Sequence, residues 1–305
     1  MNAIVRKTGK KDAFTIIELL TVMSIIVILI GLLVPSLNMV RRYAKKVRQN
    51  AQFHSIGAAL ELFNNEHDGY PPSDMEDGDG KQYCGALKLC EAMMGQDLLG
   101  FHPDSRFRQD LTVDGTAVTL LYDKDPDTKA DDPDDDNLAS RKGPFLPLES
   151  ANAYRLWNIY GKGNTGPFPE NLFVLCDVYS NVSNRSLEGK QHIGMPILYY
   201  RADESGRVHD PNEPPTPSDR KHQFYNDLDN YMLLALGAPW EGPPPQQSPK
   251  GHPIFHERTK FYEMTKNESI NIDAGRPYRS DTYILISAGF DGKYGTPDDV
   301  FNFAP

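Results

Sequence analysis

The residues most able to do chemistry lie near the C-terminus, in a glycine-rich loop predicted over residues 287–300. Asp291 stands there, and Asp298 and Asp299 follow it at a spacing of seven and eight residues. Because glycine adopts backbone conformations that other residues avoid, the chain can fold back and bring these carboxylates together. Ca²⁺ takes six to eight oxygen ligands from carboxylates, carbonyls and water. Spacing alone favours a surface turn that carries free aspartates, with one calcium site as the alternative.

No catalytic arrangement is recognisable elsewhere in the sequence, and we expect that the protein is not an enzyme. No Ser/His/Asp set, carboxylate pair or phosphate-binding glycine loop stands out. His252 and His256 are four residues apart, but they flank a loop-like Pro-Ile-Phe, which argues against zinc. Residues 123–137 hold eight Asp and two Lys, a run typical of a solvated loop.

The three cysteines are too few for a disulfide framework. Cys84 and Cys90 fall in a helix predicted over residues 83–101, where six residues separate them by about 9 Å along the axis. Buried thiols are therefore expected. A bridge between these two residues stays open if the segment is not helical. Cys176 has no evident partner.

An apolar stretch without charges covers residues 19–40. As a helix it would span roughly 33 Å, enough to cross a hydrocarbon core of about 30 Å. The stretch is longer than the apolar part of a secretory signal peptide, and no small-x-small cleavage site follows it. We predict a membrane-spanning helix. An ordinary signal anchor remains a rival interpretation.

Glu18 lies at the start of this stretch, four residues after Phe14. A carboxylate inside a membrane helix costs about 3 kcal/mol on insertion scales, so it usually has a partner or a function. In one interpretation Glu18 is solvated at the membrane interface. In the other it pairs with a positive group in an assembled state. Since an unpaired buried charge is costly, such a pair would check the register of each added helix.

The residues around this point resemble the processing site of type IV pilins and type II secretion pseudopilins. They read Ala13-Phe14-Thr15-Ile16-Ile17-Glu18-Leu19-Leu20. The resemblance implies that a prepilin peptidase removes a basic leader, residues 1–13, and that the new N-terminal Phe14 is methylated. It also implies that Glu18 neutralises the N-terminal amine of a neighbouring subunit. Pro35 falls where many members have a helix-kinking proline, whereas Ala13 replaces the usual glycine before the cut.

The C-terminal loop resembles the calcium loop of the major, G-type pseudopilin of type II secretion. In that family three aspartates at this spacing and nearby carbonyls hold one Ca²⁺, which orders the last loop. The resemblance implies that Asp291, Asp298 and Asp299 are side-chain ligands. It offers the carbonyls of Ala288 and Thr296 as weaker candidates. One bound Ca²⁺ is therefore the expected cofactor.

Beyond Pro35 the apolar residues recur at intervals of three or four, which predicts an amphipathic continuation of the helix over residues 41–68. We expect its second half to pack against a globular head. The stripe consists of Leu37, Val40, Ala44, Val47, Ala51, Ile56, Leu60 and Phe63. The pair Pro71-Pro72 follows the predicted end of the helix.

Strands are predicted over residues 195–201 and 281–288, with a third over residues 173–178. The expected fold class is α+β and pilin-like: a long N-terminal transmembrane and amphipathic helix packed on a small antiparallel sheet with large loop insertions. The expected parts are the leader, a transmembrane and assembly helix over residues 14–40, its amphipathic continuation, and a periplasmic head over residues 69–305. The region 73–280 holds insertions without an assigned role.

The formal charge of −10 and the pI near 5.3 argue against a generic nucleic-acid binder. The resemblance implies a structural filament subunit of a type II secretion-like machine. It would cross the bacterial inner membrane once, with its head in the periplasm, and would join the pseudopilus after assembly. Its partners would be other pseudopilus subunits, a prepilin peptidase and methylase, an inner-membrane assembly platform and membrane lipid.

Two alternatives remain open. The first is a type IV pilin-like subunit used for adhesion, motility or DNA uptake. The second is a membrane-anchored periplasmic binding domain that never polymerises. The processing of the N-terminus separates the second alternative from the two filament subunits.

Overall fold

The computed structural model describes residues 15–110, 121–122, 135–180, 182–186, 189–212, 223–239, 251–270 and 275–303. The predicted leader and Phe14 lie outside the described residues, as does most of the Asp-rich segment over residues 123–137. The chain divides into two units, residues 1–44 and 45–305. Helix α1, Ile16–His67, contributes to both.

The first unit consists, in its described part, of the apolar beginning of α1. Side chains over residues 16–40 are exposed, and the helix continues without interruption through Pro35. By length and composition, α1 is the one helix in the described part of the chain that could cross a membrane. The predicted membrane-spanning helix is confirmed at that level.

In the second unit, the buried face of α1 differs from the face that the apolar stripe predicted. Ile56 and Leu60 are buried as expected, but Val47 is 50% exposed and Ala51 is exposed too. Two glutamines, Gln49 and Gln52, occupy the inner face at this level. The prediction was wrong here because the inner face binds backbone groups of the head, and amides suit that contact better than apolar side chains.

We call this contact the amide seam: the side chains of Lys45, Gln49 and Gln52 bound to the backbone of residues 176–179. The Nε2 of Gln52 donates to the carbonyl of Cys176 at 2.9 Å. The Oε1 of Gln49 accepts from the N–H of Val178 at 3.0 Å, and Lys45 Nζ donates to the carbonyl of Tyr179 at 2.7 Å. Because these helical positions share one side of α1, the seam fixes the helix along a segment of irregular backbone.

The strands are short and antiparallel. They are β1 (Ala153–Arg155), β2 (Phe173–Leu175), β3 (Val182–Ser186), β4 (Gly189–Ile193), β5 (Leu198–Arg201), β6 (Tyr283–Ser287) and β7 (Val300–Phe301). Within the described residues they form three sheets, ordered β1-β2, β3-β4 and β5-β6-β7. With the long helix, this confirms the α+β class.

Each of the three predicted strands contains a shorter observed one, β2, β5 or β6, but they do not form one sheet. β2 pairs with β1, and a single bridge between Cys176 and Pro196 connects its end to the segment before β5. The ladder stops there because the side chain of Asp177 takes up the N–H groups of Tyr179 and Met195.

Strand β6 lies between two apolar clusters. Tyr283 and Leu285 face the cluster that includes the inner face of α1, whereas Ile284 and Ile286 face the second cluster. All five residues of β6 are buried, because alternate side chains point to opposite faces of a strand and both faces are covered. The sheet is therefore the layer between α1 and the rest of the head.

The remaining helices are shorter than α1. They are α2 (Gly85–Met94), α3 (Asp135–Ser140), α4 (Leu148–Ala151), α5 (Leu156–Tyr160), α6 (Tyr231–Leu234), α7 (Pro253–His256) and α8 (Arg258–Thr265). The helix predicted over residues 83–101 ends early, at Met94. Gly95 has a φ of 77°, and a Cβ there would lie 2.1 Å from the carbonyl oxygen of Gly100, so the chain must turn away at this point.

The amide seam predicts a large effect of an isosteric change. Gln52→Glu keeps the shape of the side chain but replaces the donor to three backbone carbonyls, at 2.9, 3.2 and 3.4 Å, with a carboxylate oxygen. We expect a loss of roughly 2 kcal/mol or more in the free energy of unfolding, because buried acceptors lose their donor. Thermal or urea unfolding measures it.

Asn50→Asp is the matched control, since Asn50 is an exposed amide on the same helix. It should change the free energy of unfolding by less than about 0.5 kcal/mol. Equal stability of the Gln52→Glu and Asn50→Asp variants would show that the seam contributes nothing.

Candidate functional site

The predicted calcium loop connects β6 to β7 and closes tightly on itself. Gly289 has a φ of 64°, and a Cβ at this position would lie 1.9 Å from the carbonyl oxygen of Asp298. The start of the loop therefore contacts its end, and only glycine allows that approach. Gly295, with a φ of 90°, similarly approaches the backbone of Ile254.

Asp299 is the most unusual acid of the loop. Its Oδ2 accepts from the N–H of Gly295 at 2.7 Å, whereas its Oδ1 is buried and has no hydrogen-bond partner among the described residues. Burial raises the pKa of Asp299 well above its usual value, and the charges of Asp291 and Asp298 raise this pKa further. This oxygen is buried, lacks a hydrogen-bond donor among the described residues and lies near two further carboxylates. Such an oxygen is better satisfied by a bound cation than by remaining unpaired.

The other predicted ligands are arranged less favourably. Asp291 is exposed, and its Oδ1 accepts from the N–H of Lys293 at 2.8 Å. The carbonyl of Thr296 accepts from the N–H of Asp299 at 3.1 Å, and Ala288 is buried. Over the described ranges, no three His, Cys, Asp or Glu side chains converge into a group that could hold a metal. The loop brings its acids into electrostatic contact but does not preform a complete ligand shell.

Asp177 contacts the start of this loop, and the sequence did not predict it as a site residue. Its Oδ2 accepts from the hydroxyl of Ser287 at 2.9 Å, and its Oδ1 accepts from the N–H groups of Tyr179 and Met195, each at 3.1 Å. The Ser287 hydroxyl in turn accepts from the N–H of Gly289 at 3.2 Å. One carboxylate thus joins the end of β2, the approach to β5 and the start of the loop.

Full burial raises the pKa of Asp177 to about 7, although its three hydrogen bonds and the charge of Lys45 favour the ionised form. An aspartate directly after the apolar run at residues 173–176 was the signal that could have identified it. Such a residue must either leave the interior or find several donors there. Asp177 finds three.

Ser140, His102 and Asp104 come together in an order that superficially resembles a catalytic triad. Ser140 Oγ lies 3.2 Å from His102 Nε2. The backbone N–H of Asp104 donates to His102 Nδ1 at 3.2 Å, so Nδ1 carries the lone pair and Nε2 carries the proton. In this tautomer His102 cannot accept a proton from the serine, and the arrangement does not provide a general base.

A second buried acid, Glu91, lies in α2 and is fully bonded. It accepts from the hydroxyls of Tyr83 at 2.6 Å and Ser105 at 2.5 Å, and from Gln96 Nε2 at 2.9 Å. Burial raises the pKa of Glu91 despite these donors. Since every contact is made inside the protein, Glu91 organises a loop around α2 and offers no open position to a ligand.

Glu18 forms a capping box with Thr15 at the start of α1. Glu18 Oε2 accepts from the backbone N–H of Thr15 at 2.8 Å and from its hydroxyl at 2.7 Å, and the N–H of Glu18 donates to that hydroxyl at 3.3 Å. This local role was not expected. The predicted processing residues Ala13 and Phe14 lie outside the described residues.

Cys84, Cys90 and Cys176 are buried free thiols. Cys84 precedes α2 instead of lying inside it, yet its side chain still packs in the core without a sulfur partner. The prediction that Cys84 and Cys90 are buried thiols is therefore confirmed, although the helix begins after Cys84 and not before it.

No protein-family model, curated protein or solved structure matches the chain.

Asp177 predicts a specific pH dependence of stability. Between about pH 4 and pH 7 the folded protein holds a proton on Asp177 that the unfolded chain has released, so this group's contribution to stability falls as pH rises toward 7. An Asp177→Asn variant lacks this titration. We expect the Tm of the variant minus the Tm of the parent to be higher at pH 8 than at pH 5, with both values measured in the presence of chelator.

Asp281→Asn changes an exposed carboxylate to an amide and is the control. Its Tm should follow the parent at both pH values. If the difference between Asp177→Asn and the parent is the same at pH 5 and pH 8, Asp177 does not titrate in this window.

Proposed function

We propose that this protein is a filament subunit of the pseudopilin type, anchored by the first part of α1 and assembled through that helix. The observation that carries the proposal is the distribution of exposed apolar residues on α1. Over residues 16–40 they surround the helix, and beyond residue 44 they follow a single face. An anchor that never polymerises needs the first of these features and not the second.

The exposed face of α1 in the second unit is the assembly face of this proposal. It contains Val47 and Leu62, 50% and 56% exposed, and the exposed alanines Ala51 and Ala58. Their spacing of four, seven and four residues keeps them on one side of the helix, opposite the amide seam. Small and apolar side chains in such a row allow a second helix to approach closely.

Glu18 supports the proposal through its position and its bonding. In the structure its carboxylate accepts from the N–H and hydroxyl of Thr15. Removal of the leader would create a new amine at Phe14, adjacent to Thr15 in the chain. The same carboxylate could then exchange a local hydrogen bond for a charge pair with the amine of a neighbouring subunit, which is the stronger interaction in an apolar surrounding.

We further propose that the loop between β6 and β7 holds one Ca²⁺. Asp291, Asp298 and Asp299 would supply carboxylate oxygens, and the carbonyls of Ala288 and Thr296 would complete the shell. The support is the buried Oδ1 of Asp299, which has no donor among the described residues. The bound ion would neutralise the mutual repulsion of these acids and hold the loop closed against the end of β6.

The filament proposal predicts a processed N-terminus and a defined assembly face. Mass spectrometry of the protein from its native membrane should show a chain that begins with methylated Phe14. Leu62→Glu should abolish filaments, because a charge replaces an apolar contact in the packed row, while the Tm of the protein stays within about 2 °C of the parent's.

Leu148→Glu is the matched control, since Leu148 is 61% exposed and lies outside α1. It should leave filaments intact. An N-terminus that retains Met1, together with no difference in filament formation between Leu62→Glu and the parent, would favour the plain membrane anchor.

The calcium proposal predicts a ligand-dependent stability. The Tm of the parent should rise when chelator is replaced by millimolar Ca²⁺, by the equivalent of about 2.7 kcal/mol at a hundredfold excess over Kd. The Asp291→Ala variant should lose most of this increase. Thermal unfolding at matched ionic strength measures it, with Asp281→Ala as a control that keeps the increase. An equal response of parent and Asp291→Ala would exclude this site.

A further inference from the structure

The charged residues of α1 are segregated along the helix in the second unit. Over residues 45–54 the helix carries two lysines, one arginine and no acid, whereas over residues 55–67 it carries two glutamates and no lysine or arginine. We call these stretches the basic half and the acidic half of α1. Ion pairs within a helix join residues three or four positions apart, and no acid and base of the two halves stand at that spacing. The charges therefore do not pair along the helix that carries them.

Three of these charges have no ionic partner in the second unit. Lys46, Arg48 and Glu61 are exposed, and none of them forms an ion pair with a charged side chain in the described part of the chain. Glu61 accepts a hydrogen bond from the Tyr70 hydroxyl at 2.9 Å. Arg279 lines the same groove as Glu61 but forms no ion pair with it. These side chains remain available to a partner of opposite charge.

The charges lie beside the row of exposed apolar residues proposed for assembly. Because each residue turns the helix by about 100°, fifteen residues return it to within about 60° of the same direction. Lys46 and Glu61 are fifteen residues apart. Val47 and Leu62 are also fifteen residues apart, and they are 50% and 56% exposed. Each end of the row thus presents an apolar side chain next to a charge, which is basic at the first end and acidic at the second.

The other flank of the row shows the same arrangement. Arg48 and Glu66 are eighteen residues apart, or about five full turns, so they lie on the same side of the helix. Glu66 also lies 3.5 Å from Lys142, in an exposed pair of a kind that contributes little to stability. The carboxylate of Glu66 therefore remains open to a second cation.

This pattern makes two copies of the helix complementary only when one is displaced along the other. In the proposed filament subunit, copies anchored through the first part of α1 point in the same direction. Without a displacement each charge would face its own equivalent, which is repulsive. A displacement of fifteen residues, roughly 22 Å, brings Lys46 of one copy level with Glu61 of the next. The same displacement brings Val47 level with Leu62.

We propose that the basic half of α1 in one copy packs against the acidic half of α1 in the next, with the two helices parallel and displaced by about fifteen residues. This inference rests on the proposed filament function and names the contact that builds the filament. Each copy uses its basic half toward one neighbour and its acidic half toward the other. Such a contact is heterologous and does not close, so further copies can add at its ends.

A charge exchange in the full-length chain tests the pairing, with filament yield and Tm measured for each variant. Lys46→Glu and Glu61→Lys should each lower the yield by about tenfold or more, because an attraction repeated at every subunit becomes a repulsion. The double variant should recover to within about twofold of the parent, because it restores the pair with its signs exchanged. The Tm of all three variants should stay within about 3 °C of the parent's, since both side chains are exposed.

Lys266→Glu and Glu263→Lys are the matched controls, since both residues are exposed and lie outside α1. Neither should change the filament yield by more than about twofold. Filaments that tolerate both single reversals, or that do not recover in the double variant, would overturn the pairing and leave the filament subunit itself in place.

A disulfide cross-link tests the displacement separately. A chain with both Val47→Cys and Leu62→Cys should give a ladder of multimers on oxidation in its membrane, because opposed Cβ atoms can approach to about 4 Å. Neither single variant should cross-link, and the three native thiols are buried. Dimers without a ladder would indicate a closed antiparallel contact and would overturn the proposal, as would the absence of any cross-link. Absence of filaments from the parent as well would overturn the proposed function.

Discussion

The packing inside the head depends on the position of α1. The amide seam fixes this position through hydrogen bonds to backbone groups of the head. Lys45, Gln49 and Gln52 bond to residues 176–179. The same segment bonds onward to the stretch before β5, where the N–H of Asp177 donates to the carbonyl of Met195 at 2.8 Å. A shift of the helix by one turn would break these bonds together, so the position of α1 and the start of the central sheet are set jointly.

The sequence predicted those elements whose stability comes from apolar pattern. The runs that contain β5 and β6 are apolar and short, and both are strands with covered faces. The end of α1 was also predicted correctly, because polar residues and two prolines follow it. Periodicity placed the wrong side of α1 inward near Val47, since the contact there is made by amides, and a hydrophobic pattern contains no information about backbone acceptors.

The sequence was sufficient to locate the candidate site but not to predict its three-dimensional contacts. The three aspartates and the glycines between them placed the loop, and Gly289 has the positive φ that such a loop needs. Asp177 was missed because its role depends on donors that the fold brings together, from Tyr179 and Met195 nearby to Ser287 more than a hundred residues away. Long-range polar contacts of this kind depend on the completed fold, whereas a local spacing is visible in the chain itself.

Helix α2 shows a different consequence of the same packing. All ten of its residues are buried, including Lys88, whose ammonium group donates to the carbonyls of Asp74 and Glu76. A helix with no side toward water cannot exchange its amide hydrogens through fraying of an exposed turn. Its amides should therefore exchange with solvent only when the whole head opens, which makes α2 the slowest reporter of the head's global stability.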